Sequence, residues 1–296
     1  MYTIWTRTPV IAALALSTAA LLTAARANWL GAGASRVQPP DLVELRPGTF
    51  RYRMSGEFTR AGKPAMAPLV TVWVERPLAI MRRQVTATEY QACVDAGACG
   101  VSGSAGATDH PVVKVSWHDA HDYASWLSRE TGMSFRLPSD EEWAYAAAAR
   151  ATDDALPEGA YSDDPGLRLL AKYDQGRNRD ETGGKTPRPT GSFGVNENDL
   201  LDVAGNVWEW TDTCFERRTL SERGSIAPAT VNCGVRIAAG RHRAYVPDFI
   251  RDASAGGCSV GKPPSNLGIR LVRDDAKSSR LNVVSRWYQR LASVRA

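Results

Sequence analysis

Apolar and polar side chains alternate over Leu42–Thr49 and again over Val70–Val74, a period of two that predicts half-buried β-strands. Three later stretches change to helical spacing. The first runs from Thr86 to Val94, where Thr86 caps and Glu89, three residues on, completes a capping box. The second opens at Ser116 or Asp119 and sets Ala120, Tyr123, Ala124 and Leu127 along one face. The third opens at Ser139, after Pro138. There Ser139 can accept from an amide one turn on, Glu142 can reach back, and Asp140 and Glu141 face the positive end of the helix dipole. Helix initiation accounts for the whole acidic run Asp140-Glu141-Glu142 without a catalytic role. From Ala151 to Asn198 the chain is rich in Gly, Pro, Asp and Arg and shows no periodicity. Ordering backbone costs about 1–2 kcal/mol per residue, so such a stretch calls for bound calcium or buried aromatics to hold it.

The two ends follow other patterns. Arg7, the apolar run Val10–Leu22 and the Ala25-Arg26-Ala27 cleavage pattern predict a secretory signal peptide over residues 1–27, with an uncleaved membrane anchor as the alternative. A linker over 28–41 follows, containing the Gly/Ala/Pro-rich stretch Gly31–Pro40. Beyond the domain, residues 275–296 place Val284, Trp287, Tyr288, Leu291 and Val294 at helical spacing, with Arg286, Arg290 and Arg295 on other faces. Such a basic amphipathic tail suits an anionic membrane surface, a partner or its own domain.

The chain has 296 residues, 43% hydrophobic and 23% charged, enough for one large core. The net charge of +4 resides largely in the tail and gives no reason to expect nucleic acid as a partner. An exported chain meets an oxidising compartment, so the five cysteines read as a disulfide framework. Cys93 and Cys99 flank a turn permitted by Gly97, and Cys214 and Cys233 flank a polar loop. Cys258 is left over, as a free thiol or as an alternative partner for Cys233. The expected location is the periplasm or the exterior.

One run stands apart: Leu201-Asp202-Val203-Ala204-Gly205-Asn206-Val207-Trp208-Glu209-Trp210. Gly205-Asn206 interrupts either regular period and favours positive φ. A loop of this kind can turn Asp202, Glu209 and main-chain carbonyls toward one hard cation. Its plainer reading is a tight turn with Trp208 and Trp210 in the core and both acids solvated.

This run does not occur alone. It is preceded by Pro111-Val112-Val113-Lys114-Val115-Ser116-Trp117-His118-Asp119-Ala120, by Tyr123-Ala124-Ser125-Trp126-Leu127 and by Phe135-Arg136-Leu137-Pro138-Ser139-Asp140-Glu141-Glu142-Trp143-Ala144-Tyr145-Ala146-Ala147. Asn266-Leu267-Gly268-Ile269-Arg270 follows it. In this order and spacing the pieces resemble the formylglycine-generating enzyme family, also called the sulfatase-modifying-factor domain, over residues 42–274. The resemblance implies an α+β single domain of the C-type-lectin-like kind, with little regular secondary structure. It also implies a structural Ca²⁺ held by the carboxylates of Asp202 and Glu209 and the carbonyls of Gly205 and Val207. A second calcium position of the family meets Lys172, a cation, and is not expected here.

Members of the family oxidise a substrate cysteine to formylglycine on copper(I) held by two thiolates, soft ligands suited to that ion. Anchored on Gly240, the matching positions here are Ala244 and Phe249, which carry no ligand atom. Copper is therefore not expected. Another branch uses iron held by histidines, largely from an extra domain for which this chain has no room. His118 and His121 share a helix face, but no third ligand accompanies them. Arg241 and His242, with Arg270, are the candidates for a binding pocket.

These readings imply an exported accessory or maturation protein that binds a protein or peptide partner, like the NirV-type accessory proteins encoded with copper nitrite reductases. The alternative is an enzyme, a formylglycine-generating oxidase or a related oxygen-dependent one. A carbohydrate-binding module rests on fold analogy with lectins alone.

Overall fold

The computed structural model describes residues 37–104, 108–153, 162, 164–180, 186–253 and 266–274. The signal peptide, most of the linker, the C-terminal tail and Cys258 lie outside the described residues. The fold is that of the compact unit Pro39–Ala296. Among the described residues no helix is long and apolar enough to cross a membrane.

The first alternating stretch forms two strands, β1 (Leu42–Leu45) and β2 (Gly48–Arg53), where one had been expected. Pro47 lies at the break, since proline fixes φ and has no amide to donate to a ladder. A hairpin follows, β3 (Glu57–Arg60) and β4 (Lys63–Ala65), turning at Ala61 and Gly62, both at positive φ. Then come β5 (Leu69–Val74) and β6 (Leu78–Met81).

The three capped helices are α1 (Ala87–Asp95), α2 (Trp117–Thr131) and α3 (Asp140–Ala147). Each begins with a full capping box: Thr86 with Glu89, Ser116 with Asp119, and Ser139 with Glu142. The two-residue strand β7 (Phe135–Arg136) separates α2 from α3.

The stretch expected to be irregular contains a further helix, α4 (Pro165–Asp180). Its signal was present in the sequence: Asp164 accepts from the amides of Gly166 and Leu167, and Pro165 occupies the first helical position. Lys172 falls within it.

The C-terminal half is a long antiparallel hairpin, β8 (Trp208–Leu220) and β9 (Thr230–Ala239), followed by β10 (Ala244–Pro247), β11 (Leu267–Gly268) and β12 (Val272–Arg273). Among the described residues these strands form three sheets. One has the order β1-β6-β12-β7, one the order β10-β9-β8-β3-β4 with β11 also on β8, and β2 pairs with β5 alone. One core cluster joins Leu45, Leu78, Ile80 and Val272 of the first sheet to Trp143, Ala146 and Ala147 of α3, Leu200 and Val203 of the loop, and Ala239 of β9. Each large side chain buried there contributes about 1.5–3 kcal/mol.

The site is positioned by one register. β11 runs parallel to β8 with Leu267 opposite Trp208 and Gly268 opposite Glu209, so Arg270, two residues beyond, arrives beside Glu209. Gly268 permits this approach: a Cβ there would lie 2.8 Å from both the Val112 carbonyl oxygen and Val207 Cγ2. The two expected disulfides are formed. Cys93 and Cys99 lie 5.4 Å apart at Cα and Cys214 and Cys233 4.5 Å apart, the latter bridging β8 and β9.

Candidate functional site

In the loop Leu201–Trp210 both tryptophans are in the core, as the plainer reading expects, but the acids are not solvated. Asp202 and Glu209 are each 0% exposed. Positive φ falls on Asp202, Ala204 and Asn206, not on Gly205. Gly205 is required for space instead, because a Cβ there would meet the Phe193 side chain at 2.9–3.3 Å. Asn206 ties the loop to the neighbouring chain, accepting from the Arg188 amide at 2.9 Å and donating to its carbonyl at 2.8 Å.

The two carboxylates have separate partners. Asp202 accepts from the amides of Gly191 at 2.5 Å and Phe193 at 2.7 Å. Glu209 accepts at Oε1 from Gln84 Nε2 at 2.7 Å and Arg270 Nη2 at 2.9 Å. At Oε2 it accepts from Trp143 Nε1 at 2.7 Å and Arg270 Nε at 2.8 Å. Arg270 spends its remaining donors on the carbonyls of Met81 and Arg82, each at 2.9 Å, and of Leu201 at 2.8 Å. All five guanidinium N–H groups are thereby used.

This arrangement does not fit the expected calcium site. Ca²⁺ needs oxygen lone pairs at 2.3–2.6 Å, and a carboxylate offers about four acceptor positions. Those of Glu209 are filled by nitrogen donors, one pair of them cationic. The Gly205 carbonyl also accepts from Gln84 Nε2, at 3.2 Å. Val207 is buried as well. Of the four expected ligands, Glu209 and the Gly205 carbonyl meet at Gln84, with Trp143 and Arg270 also on Glu209, whereas Asp202 turns to the amides of Gly191 and Phe193.

Of the three pocket candidates, Arg270 is thus committed to the loop, and the other two lie around the β9–β10 turn. Arg241 sits at the β9–β10 turn, its guanidinium 5.7 Å from the Phe193 ring centroid and its carbonyl accepting from Thr152 Oγ1 at 2.6 Å. His242 is buried edge-on to Trp208, with ring centroids 5.1 Å apart, and its carbonyl accepts from Trp208 Nε1 at 3.1 Å. Gly240 lets this indole close over the turn, since a Cβ there would lie 2.7–3.0 Å from it.

Sequence reasoning passed over the next residue. Arg243 is buried and pairs with Asp140 at 2.8 Å, while Tyr52 donates to the same carboxylate oxygen at 2.6 Å. Burial, and then the charge of Asp140, push the Tyr52 phenol well above its ordinary pKa, so it stays a neutral donor. These groups lie on a cavity of about 390 Å³ between β2 and the α3 region. Phe50, Trp143 and Tyr145 give it aromatic walls, and the Arg53–Asp153 pair at 2.8 Å a polar one. The local signal at Asp140 was absorbed by helix capping. Only Glu142 of the acidic run closes the box, also pairing with Arg136 at 2.7 Å.

Glu141 takes a third role. Desolvation, with the charges of Asp140, Glu142 and Glu216 added and Arg243 opposing, pushes its carboxyl up to about 7 from 4.5. The folded chain therefore holds this proton through a window where the unfolded chain has released it. Glu141 should make stability fall as pH rises from about 4.5 to 7 and level off above. Glu141→Gln is expected to remove that part of the slope in urea denaturation series across this window; an unchanged slope contradicts the assignment.

The positions matching the copper ligands diverge. Ala244 is 1% exposed inside β10, whereas Phe249 lies beyond that strand and is 68% exposed. All four described cysteines are in disulfides. His118 and His121 also have different neighbours. His118 Nε2 is 3.3 Å from Asp248 Oδ2, and His121 stacks on Trp117, whose ring also carries Arg236 at 4.0 Å. Among the described residues no three His, Cys, Asp or Glu side chains converge as a metal centre.

Comparison with known proteins agrees with the motifs. The formylglycine-generating enzyme of Streptomyces coelicolor is 33% identical over 180 residues, 57% of this chain and 54% of that protein. The inactive C-alpha-formylglycine-generating enzyme 2 of Bos taurus is 30% identical over 168 residues, 54% of each chain. The chain thus spans about half the length of these curated relatives. The structure of PvdO from Pseudomonas aeruginosa superimposes with a TM-score of 0.51 at 23% identity, covering 79% of this chain and 94% of that one, and shares the fold. Residues 31–275 match the sulfatase-modifying factor enzyme 1-like domain, and the chain is a member of that family.

Proposed function

We propose that this chain is an exported accessory or maturation protein that binds a protein or peptide partner, in the manner of the nitrite-reductase accessory proteins, and does not oxidise cysteine on copper. The observation that carries this reading is the chemistry at the two ligand positions, an alanine buried in a strand and an exposed phenylalanine. The described cysteines offer no replacement thiolate pair, since each is oxidised to a disulfide. Disulfides are also compatible with export to an oxidising compartment. The cavity flanked by Tyr52, Asp140 and Arg243 supports the binding role. It combines aromatic walls with a few fixed polar groups, the composition that orients a bound segment.

The test is to equilibrate the purified full chain with cysteine-bearing peptides, copper(I) and oxygen, and to follow both retention and peptide mass. Peptide retained with its thiol intact is the expected result. Conversion of the cysteine to formylglycine sinks the proposal.

A further inference from the structure

We infer that Gln84 and Arg270 do the work of a bound cation in the Asp202–Glu209 loop, so that the domain folds independently of calcium. The key atom is Gln84 Nε2. It lies between two of the expected calcium ligands, 2.7 Å from Glu209 Oε1 and 3.2 Å from the Gly205 carbonyl, and donates to both. A cation's task in such a loop is to draw these oxygens together against their mutual repulsion. An amide with two N–H groups does so here with no metal.

Charge points the same way. Glu209 is already neutralised by Arg270, both side chains being 0% exposed in a pair joined at 2.8 and 2.9 Å. A divalent ion on the same carboxylate would place two cations side by side in a buried site, where like charges repel most strongly. Arg270 also ties the loop to the rest of the fold, since its donors reach Leu201 on one side and Met81 and Arg82, at the end of β6, on the other.

Gln84 is itself fully buried, and its Oε1 has no hydrogen-bond partner. Reversing the amide would give Oε1 no relief, because it would then face the Glu209 carboxylate and the Gly205 carbonyl, both acceptors. The donor orientation is the better of the two, and the unpartnered oxygen is its cost. This residue is therefore the determinant of whether the loop is metal-free. A carboxylate at position 84 would set two acids and a carbonyl around one point, the ligand set that a hard cation favours.

The experiment compares melting of the purified full chain and of Gln84→Glu in calcium and in chelator, with metal analysis of the unmodified chain after dialysis against calcium. The unmodified chain should melt at the same temperature in both solutions and retain no stoichiometric calcium. Gln84→Glu should melt lower than the unmodified chain in chelator and rise by about 5 °C or more in millimolar calcium. Recovery of folded Gln84→Glu only when calcium is present supports the inference equally. Stoichiometric calcium on the unmodified chain, or a fall in its melting temperature in chelator, overturns it. So does a Gln84→Glu protein that folds and ignores calcium. If that variant does not fold in either solution, the calcium content and melting of the unmodified chain decide the matter alone.

Discussion

Glu209→Gln should lower the unfolding free energy by about 3–5 kcal/mol, the range found when one partner of a buried ion pair is removed. The variant keeps the size of the side chain and loses only the charge. Arg270 would then remain as a guanidinium at 0% exposure with no carboxylate beside it. Gln84 Nε2 and Trp143 Nε1 would also compete with Arg270 for a single amide oxygen. The loss should register as a lower urea midpoint with an unchanged slope. Replacing both members of the pair by apolar residues should recover only part of it, because the carbonyls of Met81, Arg82 and Leu201 would still lose their donors. Unfolding within 1 kcal/mol of the unmodified chain would show that the pair contributes little.

Arg243→Met should have an effect of similar size for the complementary reason. It strands the Asp140 carboxylate, buried and hydrogen-bonded to Tyr52, without its cation. The cost is again about 3–5 kcal/mol. Here the carboxylate can be neutralised by a second substitution, so Asp140→Asn in the Arg243→Met background is expected to restore stability relative to Arg243→Met alone. A double-mutant cycle measures the coupling directly. If the two substitutions simply add, Asp140 and Arg243 do not form the pair on which the cavity wall rests.

The features legible in the sequence were local ones. The capping boxes at Thr86 and Ser139 involve residues three apart and form as expected, and the second helix, expected to open at Ser116 or Asp119, opens at Ser116 with a box of its own. The burial of Trp208 and Trp210 and both disulfides were also visible in short-range pattern and spacing. The features missed are long-range. Glu209 finds Arg270 61 residues on and Gln84 125 residues back, and nothing near any of them in sequence announces a partner. A comparably long separation hid Asp140 from Arg243. Asp140 also had a sufficient local explanation in helix capping, and that explanation concealed its role in an ion pair. Gly205 was read correctly as exceptional but for the wrong cause: it makes room for Phe193, while Asp202, Ala204 and Asn206 adopt the left-handed backbone. The helix Pro165–Asp180 was missed although Asp164 and Pro165 mark its start, because the polar composition around it masked the signal.

On the proposed reading, this member of the sulfatase-modifying-factor family keeps the scaffold but has no thiolate centre for copper. Of the five cysteines, four form two disulfides, and Cys258 lies outside the described residues. The most direct test is a copper(I) titration of the isolated chain against a competing chelator, with a thiol count on the same sample. The expected result is no more than one free thiol per chain and no tight, stoichiometric copper(I). One copper(I) held tightly per chain by a pair of free thiols would contradict it.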